Sequence, residues 1–474
     1  MARLLKFLFF LVAIASYSQT TLPSFFGDSM VLQQQEHVAI WGFDVPDTPI
    51  QIKTTWGETS ETVASSEGIW KTTLKTNKAS FDRHIITIKG TTTVTIENVL
   101  VGEVWFCSGQ SNMEMPLKGF KTSPVNNSEK FISTANNPNI RLFNNKRSAS
   151  LLPETNANGI WEESTLASAS EFSAIGYMFS KKLFDNLNIP IGIIESSWGG
   201  TRIEAWIPAD SISKYPDIKI PGVLPIDENK QKLPSLLYNA MIHPFKNYTI
   251  KGILWYQGES NRTNPKPYKD YMRTLINSWR TQWNNGELPF YFVQIAPYAY
   301  NKHRSTPTIN ANLIREAQWQ VAQEVPNTGI VITTDAGNCD DIHPPKKEII
   351  ANRLANWALA EQYQIQEIDY QSPEYSSMKI KNNKIILSFN FFSKNKKHRV
   401  FNSKTTIKSF AIAGKDRKFY PAMVEINKDQ TLTIYNHMVK KPIAVRYGFV
   451  DCLDGSLFSD IGLPVSAFRT DNWD

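Results

Sequence analysis

Val104-Trp105-Phe106-Cys107 is apolar without alternation and runs directly into Ser108-Gly109-Gln110-Ser111-Asn112-Met113, which is small and polar. An apolar run of this length that stops at a glycine reads as a strand buried on both faces, the signature of a parallel sheet. The same grammar recurs downstream. Ile191-Gly192-Ile193-Ile194-Glu195 leads into Ser196-Ser197-Trp198-Gly199-Gly200-Thr201, and Gly252-Ile253-Leu254-Trp255-Tyr256 into Gln257-Gly258-Glu259-Ser260-Asn261. Ile330-Val331-Ile332-Thr333 is followed shortly by Asp340-Asp341-Ile342-His343-Pro344, and residues 290–295 supply another apolar run. Amphipathic stretches of helical length, at 172–187, 268–283, 310–325 and 346–364, alternate with these strands. Alternating strands and helices predict an α/β unit with a largely parallel sheet, here placed at residues 101–366.

Outside that unit the period changes. His37-Val38-Ala39-Ile40-Trp41-Gly42 and Thr92-Thr93-Val94-Thr95-Ile96 alternate with period two, as do Met378-Lys379-Ile380-Lys381 and Ile443-Ala444-Val445-Arg446-Tyr447. These predict antiparallel, sandwich-like β regions at 19–100 and 367–474. At the N-terminus, Arg3 and Lys6 precede the apolar run at 7–15, and Ser16-Tyr17-Ser18 follows it. That order is a secretory signal peptide, residues 1–18, too short in its apolar part to span a bilayer. An exported protein, secreted or periplasmic and without a membrane span, is expected.

The 474 residues carry 51 Lys+Arg against 44 Asp+Glu, a formal charge of +7. The excess is small for the length, and Lys379, Lys381 and Lys384 are scattered along strand edges, so no nucleic-acid stripe is implied. Three Cys exclude a disulfide scaffold and a multi-Cys zinc array, and leave at least one thiol unpaired; buried structural thiols are expected.

Functional groups of a parallel sheet gather beyond the carboxyl ends of its strands. One polar cluster there is a turn; four of them converge. Convergence juxtaposes Ser111, His343, a carboxylate, the Gly199-Gly200 pair and an amide side chain, the set that serine-based ester hydrolysis requires: nucleophile, base, orienting acid and oxyanion donors. Ser111 at a strand-to-helix turn also gains from free helix N-terminal N–H groups. For the carboxylate, Asp340, three residues before His343, reaches the imidazole within one local turn, with Asp341 as the alternative.

The block from Val104 to Pro116 resembles the nucleophile block of the sialate O-acetylesterases, a branch of the SGNH hydrolases. So do Trp198-Gly199-Gly200-Thr201-Arg202-Ile203-Glu204-Ala205-Trp206, Trp255-Tyr256-Gln257-Gly258-Glu259-Ser260-Asn261 and Asp341-Ile342-His343-Pro344. Met30-Val31-Leu32-Gln33 and Phe468-Arg469-Thr470-Asp471 extend the likeness over nearly the whole mature chain. The resemblance implies an SGNH-like three-layer domain and a carbohydrate O-acetyl esterase that uses no metal or other cofactor. It implies Ser111 as nucleophile, His343 as general base, and an oxyanion hole from the backbone of Ser111 and of Gly199 or Gly200 with the side chain of Gln257. The third block has Gln-Gly-Glu where the broader family has an asparagine after glycine, which is why Gln257 takes the amide role. Asn112, Arg202 and Glu259 are candidate substrate contacts, Arg202 for the carboxylate of an O-acetylated sialic acid. Xylan, xyloglucan or pectin acetyl esters are the alternative substrates, and a non-catalytic carbohydrate-binding protein is the alternative class.

Overall fold

Period-two segments near the N-terminus become β1 (Val31–Gln33), β2 (His37–Phe43), β3 (Pro49–Thr54), β4 (Thr59–Val63), β5 (Ile69–Lys75), β6 (Ser80–Lys89) and β7 (Thr93–Gly109). The computed structural model describes residues 19–225, 229–300, 311–393, 395, 397, 399–402, 407–453 and 455–473. The expected signal peptide at 1–18 and residue 310 of an expected helix lie outside them. β2 pairs with β5, β3 with β4 and β6, and β6 with β7, all antiparallel.

β7 is 17 residues long and belongs to two sheets. Its first half pairs with β6; from Glu103 onward it becomes a central strand of a second sheet. The strand therefore runs unbroken across residue 100, where the sequence suggested a boundary.

Chain order then gives α1 (Ser111–Glu114), α2 (Ser128–Ser133), β8 (Asn137–Asn144), β9 (Trp161–Ser164), α3 (Leu166–Glu171), α4 (Ala174–Leu187) and β10 (Ile191–Ser197). After α5 (Ala209–Ile212) come β11 (Gly252–Tyr256), α6 (Tyr268–Trp283), β12 (Phe290–Val293), α7 (Ala311–Glu324), β13 (Thr328–Val331) and α8 (Lys347–Glu361). The sheet order is β13-β12-β11-β7-β10-β8-β9. Every neighbouring pair is parallel except the edge strand β9.

Strand alternation divides the core in two, because successive side chains point to opposite faces. Val104, Phe106, Ile253, Trp255 and Phe292 meet α6 and α7 on one face. Trp105, Cys107, Leu254, Tyr256 and Val293 meet α4 and α8 on the other. Helix ends carry their own stop signals. Ser173 Oγ accepts from Gly176 N–H at 3.1 Å to cap α4, an arrangement typically worth ~1 kcal/mol, while Asn188 and Asn284 close α4 and α6 in the left-handed conformation that asparagine tolerates.

The C-terminal strands are β14 (Glu374–Lys381), β15 (Lys384–Asn390), β16 (Phe410–Ala413), β17 (Phe419–Pro421), β18 (Met423–Ile426), β19 (Leu432–Tyr435), β20 (Ala444–Tyr447) and β21 (Phe468–Arg469). They form two four-stranded antiparallel sheets, β14-β15-β19-β18 and β17-β16-β20-β21, around a shared apolar core. This region is tied firmly to the α/β unit. Cys339 and Cys452 form a disulfide, Arg469 pairs with Glu316 at 2.8 Å, and Arg315 donates to Val450 O at 2.8 Å. Only Cys107 remains a free, buried thiol, so the expectation of buried structural thiols holds for one cysteine and is corrected for the other two. Among the described residues no helix is long and apolar enough to cross a membrane.

Candidate active site

Three of the four polar clusters emerge from the carboxyl ends of adjacent strands β10, β7 and β11, and the fourth returns to the same rim before α8. Gly109 ends β7 at φ +146°, with its Cα side packed so closely on Tyr256 that a Cβ would lie 2.2 Å from the Tyr256 carbonyl oxygen. Only glycine fits there. The chain then turns at once into the four-residue α1, which places Ser111 as its first residue. First-turn N–H groups have no intrahelical acceptor, and among the described residues the Ser111 N–H has no other acceptor.

Ser111 Oγ and His343 Nε2 lie 2.9 Å apart, although 232 positions separate them in sequence. Burial holds the imidazole below its ordinary pKa of 6.5, the Lys347 charge lowers it further, and Asp341 pulls the other way. A neutral ring near pH 7 accepts a proton from the hydroxyl. Phe120 packs edge-on against it with centroids 5.1 Å apart, fixing its plane.

The carboxylate beside the ring is Asp341, not the favoured Asp340. Asp341 Oδ1 accepts from the His343 backbone N–H at 2.8 Å and sits 3.6 Å from Nδ1. This is an Asx turn: the side chain folds back on the N–H two residues ahead, which carries the carboxylate under the imidazole. The Nδ1 contact is an ion-pair distance rather than a hydrogen bond. Asp340 is exposed to solvent.

Two of the expected oxyanion donors are occupied. Gly199 N–H donates to Glu114 Oε2 at 2.8 Å. Gln257 is fully buried, and its Nε2 donates both to Thr201 O at 3.0 Å and to Asn261 Oδ1 at 2.8 Å, leaving no hydrogen for a substrate. Its Oε1 accepts from Tyr268. Gln257 thus braces the glycine loop. Gly200, at φ +73°, has an N–H with no acceptor among the described residues. Gly199 itself is pressed against Ser111, since a Cβ there would lie 3.1 Å from Ser111 Cβ.

Asn112 and Glu259, expected to touch substrate, are 1% and 2% exposed and bond to each other at 2.7 Å. Asn112 Nδ2 also donates to Ile342 O at 3.0 Å, and its Oδ1 accepts from Lys347 Nζ. Asn112, next to Ser111, therefore clamps Ile342, next to His343, and holds the two segments together. Lys347 is completely buried at the start of α8, and its pKa is pushed down to about 7 by burial, with Glu259 and Asp341 opposing. Burial raises Glu259 correspondingly. Of the three candidates only Arg202 is exposed, and among the described residues it makes no ion pair.

Sequence reasoning passed over Glu114 and Arg147. Arg147 Nη2 donates to Glu114 Oε2 at 2.8 Å, so a guanidinium neutralises the carboxylate that holds Gly199. Its signal was present: Glu114 falls one helical turn after Ser111, on the same face of α1.

A family model described as carbohydrate esterase, sialic acid-specific acetylesterase, matches residues 101–360. The chain belongs to this family. It is accordingly a carboxylic ester hydrolase, and its membership spans all four clusters. The chain is 28% identical to the sialate O-acetylesterase of Mus musculus, with 90% of this chain and 88% of the relative covered. It is 29% identical to that of Homo sapiens, with 78% and 76% covered. Among solved structures, a carbohydrate acetylesterase from Xanthomonas citri aligns with a TM-score of 0.86 at 32% identity, covering 96% of this chain and all of that one.

Proposed function

We propose that this protein is an exported SGNH-type serine esterase that removes O-acetyl groups from carbohydrate, with O-acetylated sialic acid as its substrate, through an acetyl-serine intermediate. The observation that carries the reading is the 2.9 Å approach of Ser111 Oγ to His343 Nε2 in a chain of this family. His343 takes the Ser111 proton as Oγ attacks the acetyl carbonyl, and Asp341 stabilises the imidazolium that forms. The Ser111 and Gly200 N–H groups, the donors left without acceptors, meet the oxyanion. The sugar hydroxyl departs with the proton from His343. Water activated by the same imidazole then hydrolyses the acetyl-serine and releases acetate.

Arg202 supports the choice of sialic acid, because an exposed guanidinium beside the glycine pair suits the sugar's carboxylate. The charged, apolar and small-residue order of residues 1–18, and a disulfide between Cys339 and Cys452, both suit an oxidising, extracytoplasmic compartment. Acetate release from O-acetylated sialic acid, compared with acetylated xylan, tests the assignment. Preference for sialic acid that collapses in Arg202→Ala supports it; preference for xylan, or an unchanged preference in that variant, overturns it.

A further inference from the structure

Beside the Ser111–His343 pair opens a cleft of about 380 Å³ whose walls include Glu114, Phe120, Asn145, Arg147, Glu195 and Ser197. Its position follows from shared neighbours. Phe120 packs on the His343 ring, and Glu114 Oε2 holds Gly199, which lies against Ser111.

Glu195 and Ser197 come from the carboxyl end of β10, two residues apart and so on the same face of the strand. Both are almost entirely buried, at 3% and 1% exposure. Among the described residues neither Glu195 Oε1 nor Ser197 Oγ makes a hydrogen bond of ordinary geometry, and the polar group close to the carboxyl is Ser197 itself. A buried polar atom left unpaired is costly, and folded proteins keep few of them. Two adjacent ones lining one cleft next to a nucleophile indicate a ligand.

The chemistry of the walls narrows what that ligand is. The Arg147 guanidinium is taken up by Glu114, and the other cation on the walls, Lys146, is solvent-exposed, whereas Glu195 and Ser197 are buried. Burial raises the Glu195 pKa to about 8, with Ser197 and the Arg147 charge opposing and the Glu114 charge adding to it, and near pH 7 the carboxyl is held neutral, with one donor and one acceptor. Neutral donors and acceptors in pairs match alcohols. We propose that this cleft is the subsite for the sugar unit carrying the scissile acetyl group, and that Glu195 and Ser197 hydrogen-bond an uncharged hydroxyl of that unit. The proposal rests on the serine-esterase reading and adds its sugar-recognition site.

The test is the ratio of kcat/KM for an O-acetylated sugar to kcat/KM for 4-nitrophenyl acetate, which carries no sugar hydroxyl. Glu195→Leu and Ser197→Ala each lower this ratio about 10-fold or more, the loss typical when a buried hydrogen-bond partner is removed. Glu195→Gln, which keeps a neutral donor and acceptor, restores the ratio to within about three-fold of wild type. A ratio that stays near wild type in both Glu195→Leu and Ser197→Ala means that the cleft holds water only, and overturns the proposal. Should Glu195→Leu not fold, Ser197→Ala carries the same prediction alone. Ser111→Ala separates the two levels: turnover persisting in that variant removes the serine-esterase reading itself, whereas a dead Ser111→Ala with an undisturbed ratio in the cleft variants removes only the subsite.

Discussion

Replacing Asp341 by Asn changes charge while keeping shape. The amide oxygen still accepts from the His343 N–H, so the Asx turn survives, but the anion 3.6 Å from Nδ1 is gone. At that separation a full charge pair is worth about 1 kcal/mol in bulk water and about 5 kcal/mol at an effective dielectric of ~20. Both side chains are roughly three-quarters buried, which places the pair between these limits, at about 2–3 kcal/mol. On the proposed mechanism the imidazolium exists in the transition state and not in the resting enzyme, so its loss of stabilisation is expected in the rate, as a fall in plateau kcat/KM of roughly 30- to 150-fold. The pH profile carries a second signature. In wild type, activity is expected to rise with pH as His343 loses its proton, through a value below 6.5. Removing the anion lowers the imidazole pKa further, so the acid limb of Asp341→Asn shifts to lower pH even as the plateau drops. Asp340→Asn changes the plateau by less than about two-fold, since Asp340 is exposed and is not the carboxylate under the ring. Stopped-flow hydrolysis of 4-nitrophenyl acetate between pH 4.5 and 9 measures all of this. A wild-type plateau in Asp341→Asn, or collapse of activity in Asp340→Asn instead, refutes the assignment.

Further outcomes follow from the buried groups and the disulfide. Lys347→Met removes the buried donor to Asn112 Oδ1 and the charge near Glu259, and is expected to cost about 1–3 kcal/mol in urea unfolding while moving the acid limb of the activity profile upward. Glu195, raised from 4.5 to about 8, binds more protons in the folded than in the unfolded state across that window. Its contribution to stability is therefore fully present below about 4.5 and lost as pH rises toward 8, so the Tm of Glu195→Gln gains on wild type between pH 5 and 8; parallel Tm curves would contradict this. Joint Cys339→Ala and Cys452→Ala replacement removes a tether closing a 113-residue separation. Because Cys339 lies four residues before His343, activity in that variant is lost at a lower temperature than the far-ultraviolet unfolding transition, and a coincident loss argues against local loosening of the histidine loop.

Much of the α/β unit was legible because strands buried on both faces read as unbroken apolar runs. The 252–256 strand and the 268–283 helix fall where their composition places them, the latter stopped by Asn284. β8 and β9 were not. Arg141 sits in the middle of β8, wholly buried, because its guanidinium bonds Pro138 O, Ser29 O and Asn98 Oδ1, partners that only the fold supplies. In the site, the types were legible and the directions were not. Ser111 and His343 were brought together by strand order, whereas Asp340 against Asp341 turned on one side chain folding back on the backbone. Gln257 and Asn112 are polar residues at the right rim, and both point into the bracing network rather than outward. Lys347 was hidden inside an ordinary helix pattern, since lysine at a helix start is usually solvated.

The most direct test of the account is to trap the intermediate. After rapid acid quench of the enzyme turning over 4-nitrophenyl acetate, peptide mass spectrometry is expected to find the acetyl group on Ser111, and to find none in Ser111→Ala, which also loses turnover. Acetyl transfer to another residue, or wild-type turnover in Ser111→Ala, contradicts the claim that this serine and its distant histidine form the hydrolytic pair.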